Sequence, residues 1–74
     1  MVYEREKAMV GKTFEVTKEW KIGNCKMKVG DSLKVVDFGS GMACDYVVFE
    51  NQRIKRTEFH TGTWFFLRNV QEKN

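Results

Sequence analysis

The stretch that most constrains this chain is Lys28-Val29-Gly30-Asp31-Ser32-Leu33-Lys34-Val35-Val36-Asp37-Phe38. Gly30 and Asp31 are residues that bend a backbone, and Leu33 and Val35 then alternate with Ser32 and Lys34. A turn therefore feeds a strand with one apolar face. Such a strand is not stable alone and needs neighbours that cover it. The remainder of the chain is read for those neighbours.

Upstream, Tyr3 to Met9 is charged and rich in helix formers, which predicts a short helical turn that either frays or packs Tyr3 and Met9 against the body. Lys12 to Trp20 alternates, with Phe14, Val16 and Trp20 on one parity, so a first strand is expected there. Lys18 breaks that parity and predicts a curl or bulge. Lys21 to Lys28 reads as a loop or irregular hairpin around Gly23 and Asn24. The central strand follows over Ser32–Phe38, then a Gly39-Ser40-Gly41 turn.

Downstream, Met42 to Glu50 is expected to be a strand, apolar on both parities through Cys44, Tyr46, Val47, Val48 and Phe49. Asn51 and Gln52 are expected as the centre of a tight hairpin turn, with Phe49 facing Ile54 across it. Thr57 to Thr63 lacks alternation and is expected as a helical turn or compact loop. Trp64 to Val70 is dense in aromatics and is expected as the last strand, followed by a polar frayed tail. The predicted core is Phe14, Val16, Leu33, Val35, Val47, Phe49, Ile54 and Phe66.

With 74 residues there is room for one domain, expected over 1–74 with its folded core at 11–70. A chain this short buries only about 60% of its unfolded surface. The 14% aromatic content compensates, because one large ring fills the place of two small aliphatics. Thirteen Lys and Arg against ten Asp and Glu give a net charge of +3, which admits an acidic protein surface or a nucleic acid as partner and demands neither. No apolar run approaches the ~20 residues of a membrane span. Met1 to Lys7 has no apolar export core, so the expected location is the cytoplasm and the expected state of Cys25 and Cys44 is two thiols.

Five short strands without a long helix favour closure into a small all-β barrel. The order of a long loop after the first strand, a glycine turn, a hairpin and a helical turn before the last strand resembles the SH3-like barrel. The resemblance is sharpest at Lys28-Val29-Gly30-Asp31 with its alternating strand, and spans Gly11 to Val70. It implies a compact binding scaffold of five strands that docks proteins or nucleic acids. The signatures of SH3 domains that grip Pro-rich peptides are missing, and the chain has no proline. A five-stranded OB-like barrel is the other fold considered, but the Asn51-Gln52 turn leaves no room for its helix.

No residue pattern points to catalysis, a cofactor or a metal. His60 is the single histidine, and with Cys25 and Cys44 it lacks the close ligand pairs of zinc sites. The expected function is a non-enzymatic module that docks on a protein partner, as an accessory or inhibitory protein, with nucleic-acid binding as the alternative. The expected contact surface joins the first loop, through Trp20, Lys21, Ile22, Lys26 and Met27, to Tyr46, Arg53, Lys55 and Arg56. Self-association through an open edge or a bare strand face is a further expectation.

Overall fold

The computed structural model describes residues 4–42, 44–54 and 58–73. The elements in chain order are α1 (Glu4–Met9), β1 (Thr13–Val16), β2 (Trp20–Ile22), β3 (Cys25–Met27), β4 (Ser32–Ser40), β5 (Asp45–Asn51), β6 (Phe59–Gly62), α2 (Thr63–Asn69) and β7 (Val70–Glu72). The molecule is mostly β, with two antiparallel sheets. One has five strands in the order β6-β5-β4-β1-β7, and the other is the β2–β3 hairpin. The larger sheet is open, with β6 and β7 at its edges and no pairing between them among the described residues.

β4 is the spine of the sheet. The turn before it is the one the sequence predicts: Gly30 has φ +96°, a conformation a side chain would oppose. The first half of β4 pairs with β1, Phe14 opposite Leu33, and its whole length pairs with β5. A bulge between Val35 and Asp37 lets β4 bend while keeping Leu33 and Val35 on the buried face. Farther along, Gly39 lies opposite Tyr46, and the tyrosine ring occupies the space a Cβ would need.

Asp31 then ties the turn to two other segments. Its carboxylate accepts from the Lys28 backbone N–H at 2.9 Å and from Asn51 Nδ2 at 3.0 Å. Arg53 Nε donates to it at 2.9 Å, and Arg53 Nη2 donates to it at 3.0 Å and to the Lys26 carbonyl at 2.6 Å. Burial pushes the Asp31 carboxyl up, but the bonds from Arg53, Asn51 and Lys28 outweigh it and hold the group below its ordinary value. One side chain thus joins the turn, the end of β3 and the end of β5.

The core gathers Phe14, Val16, Leu33, Val35, Val47, Phe49 and Phe66, as the sequence predicts, with Ile54 packed at its margin. Met9, Trp20, Met27, Phe59 and Val70 complete it. Phe49 sits at the centre, with ring contacts to Trp20, Phe59 and Phe66.

Several sequence expectations are corrected. The first strand ends at Val16, and Trp20 begins a separate strand instead of extending it. Lys21 to Lys28 is a regular hairpin with Trp20 opposite Met27. Asn51 is not at a positive φ; it is the buried last residue of β5. Phe49 faces Phe59, not Ile54, so the connection is longer than a two-residue turn. The helical turn expected at Thr57–Thr63 is strand β6 from Phe59, and the strand expected at Trp64–Val70 is helix α2. The tail is not frayed, because Val70, Gln71 and Glu72 pair with β1. A helix before the last strand is retained, displaced along the chain. The N-terminal helix forms with Met9 buried, while Tyr3 lies outside the described residues.

Candidate functional site

Helix α2 carries the most exposed pair of adjacent large apolar residues. Trp64 is 68% and Phe65 48% exposed, whereas Phe66 beside them is fully buried. Helical geometry requires this split: Thr63, Phe66 and Asn69 recur every three residues and face inward, leaving Trp64, Phe65 and Arg68 outward. Phe65 still leans on the interior, its ring edge-on to buried Trp20 at a centroid distance of 5.9 Å.

The ends of α2 are fixed from outside. Its first residue, Thr63, lies against Glu6, a buried carboxylate of α1. Burial raises the Glu6 carboxyl, but its own backbone N–H, the Thr63 side chain and Arg5 together bring it below its ordinary value. Arg5 also stands over the Trp64 ring, 4.9 Å from the centroid. At the other end, Asn69 Nδ2 donates to the Phe65 carbonyl at 2.6 Å, and the Asn69 carbonyl accepts from the Thr17 and Lys18 backbone N–H groups at 2.7 and 3.1 Å. These bonds bring Lys18, just past β1, up to the helix. A cleft of about 220 Å³ results, lined by Lys18, Phe65, Arg68 and Asn69.

This face has an aromatic centre and a basic edge. It holds Phe65 and Trp64 rigidly at low entropic cost, and places Lys18 and Arg68 where their charges can meet a ligand. The groups with displaced pKa values, Glu6, Asp31 and Arg53, all serve turns and joints, and none lines the cleft.

The residues expected to form the contact surface are distributed differently. Trp20 and Met27 are core residues, 8% and 0% exposed, and Ile22 packs against the core from its margin. Trp20 is therefore no free anchor; its β-strand parity turns it onto Phe49 and Phe66. Lys21 and Lys26 are exposed and directly opposite each other on the hairpin, with Lys26 paired to Glu19 at 3.3 Å. Arg53 is committed to Asp31. Tyr46 is half-buried between Gly39 and His60, whose ring centroid is 5.8 Å away. Lys55 and Arg56 lie outside the described residues.

Sequence reasoning missed Trp64, Phe65 and Arg5 as surface residues. The available signal was the unbroken run Trp64-Phe65-Phe66-Leu67, more large apolar side chains in succession than one strand face can bury. Cys25 and Cys44 are not joined by a disulfide, and no three metal-ligating side chains cluster among the described residues. No described helix is long and apolar enough to cross a membrane. No protein-family model, curated protein or solved structure matches the chain.

Proposed function

We propose that the chain is a non-enzymatic binding module of SH3-like build, acting in the cytoplasm as an accessory or inhibitory protein that docks on a protein partner through the outward face of α2. The observation that carries this reading is the pairing of exposed Trp64 and Phe65 on a helix that buries Phe66. Exposed aromatic side chains on rigid elements supply a disproportionate share of binding energy at protein interfaces. The SH3-like reading is supported by the strand order, in which the last strand returns to the first and a helix precedes it. The β2–β3 hairpin stands in the place of that barrel's long first loop. The reading as non-enzymatic rests on the cleft's lining, two cations, an aromatic ring and an amide, with no carboxylate or thiol to act as base or nucleophile.

Capture from a nuclease-treated lysate tests it. Wild-type protein is expected to retain a protein partner that Trp64→Ser with Phe65→Ser fails to retain, while that variant melts within a few degrees of wild type. Equal capture by both proteins would refute the assignment of this face.

A specific observation also favours the second reading, nucleic-acid binding: Phe65 lines the same cleft as Lys18 and Arg68, a set of side chains that can stack a base and neutralise phosphate. Under that reading nuclease abolishes capture, and affinity for oligothymidylate falls with salt by a log–log slope of roughly 0.7 per phosphate neutralised.

A further inference from the structure

We infer that the partner docks through an acidic, apolar segment, whose carboxylate is received between Lys18 and Arg68 while its apolar side chain packs on Phe65 and Trp64. This rests on the protein-docking reading above and names the chemistry of what docks.

Among the described residues several basic side chains around the hairpin and α1 are paired, Lys26 to Glu19 at 3.3 Å, Lys12 to Glu72 at 3.3 Å, Arg5 to Glu6 at 3.4 Å, and Arg53 to Asp31 at 2.9 Å, while Lys7, Lys21 and Lys28 have no ion pair there but do not line the cleft. Lys18 and Arg68 have no ion pair there either, and they line one cleft together with the Phe65 ring. One of the two Nδ2 hydrogens of Asn69, which also lines the cleft, is already bonded to the Phe65 carbonyl. The cleft thus presents two positive charges beside an apolar surface.

That shape selects among anions. A nucleic-acid strand brings a phosphate with every nucleotide and is held by a track of cations. Here two cations line the cleft, and Arg5 beside Trp64 is paired with the protein's own Glu6. A single carboxylate beside an apolar side chain matches a spot of this extent. The Arg68 guanidinium offers a planar pair of donors to such a group, and Lys18 a second charge.

Selection from a random heptapeptide phage library on the immobilised full chain tests the inference. Enriched peptides are expected to carry Asp or Glu within two residues of a large apolar side chain. Their synthetic versions should lose about tenfold or more in affinity when the acid is replaced by its amide, the loss of one charge-assisted contact. Lys18→Gln with Arg68→Gln should show the same loss with an unchanged melting temperature, whereas Lys21→Gln with Lys26→Gln should not. Selected peptides without acids that still compete at Trp64 would leave the docking face standing and overturn this inference. So would equal binding by the Lys18, Arg68 variant. Tighter binding of oligothymidylate than of any selected peptide would replace it with nucleic-acid recognition.

Discussion

Trp20 is 8% exposed, yet its indole N–H is buried without a hydrogen-bond partner among the described residues. Its value to the fold is therefore its apolar surface and its ring contacts with Phe49, Phe65 and Phe66, not a polar anchor. Trp20→Ala is expected to cost about 3–5 kcal/mol, much of the stability of a domain this small. Trp20→Phe should cost distinctly less, since it also removes the stranded donor. Urea melts of both variants measure this, and an unchanged midpoint for Trp20→Ala would contradict it. Asp31 gives a pH prediction. Its carboxyl is held below the ordinary value of 3.8 in the fold, so the unfolded chain takes up the proton first. The resulting stability is complete above that value and is lost as pH falls through the lowered folded value. Glu6, lowered from 4.5, contributes with the same sign. Acid titration of the melting temperature should fall less steeply for Asp31→Asn than for wild type, from a lower starting point at neutral pH. Asp31 was legible in the sequence only as half of a turn. Its partners Asn51 and Arg53 lie too far along the chain for any local pattern to connect them.

At the scale of elements, β4 and its turn were readable because alternation and a turn residue pointed to the same structure. Helix α2 was not. Trp64, Phe65 and Phe66 are strong strand formers, and a seven-residue apolar run does not separate a period of two from one of 3.6. Tertiary packing decides for the helix: Thr63, Phe66 and Asn69 face inward together, and the helix end is closed by the Asn69–Phe65 bond. The misassigned hairpin has a similar cause. Asn51 has turn chemistry, but burial and its bonds to Asp31 and Arg53 hold it in the strand. The helix makes a sharp prediction about neighbours in sequence. Phe66→Ala should cost about 3–5 kcal/mol. Trp64→Ala should cost no more than its exposed contact with Arg5, about 0.5–1 kcal/mol. Comparable losses at both positions in denaturant melts would mean that the helix face is misassigned.

For the molecule as a whole, the apolar residues of β5 and of the β2–β3 hairpin are largely consumed by the core. Val47, Val48, Phe49 and Met27 are buried, and the exposed aromatic surface lies on α2 instead. A stable interface takes roughly 800 Å² from each partner, about a sixth of this protein's 4999 Å² of accessible surface. Trp64, Phe65, Arg68 and Lys18 form its centre, and a footprint of that size extends onto neighbouring structure. The β2–β3 hairpin is adjacent through the Trp20–Phe65 contact, so exposed Lys21 falls to the rim, where charge tunes encounter more than affinity. The open edges β6 and β7 are four and three residues long, short enough to blunt self-pairing. Amide chemical shifts of labelled protein titrated with the partner it captures decide whether α2 presents the binding face while the hairpin's Trp20 belongs to the core. The largest changes are expected at Lys18 and Trp64–Arg68, smaller ones at Lys21, and none at the β6 edge; changes centred on Tyr46 and His60, with α2 unmoved, would place the binding face elsewhere.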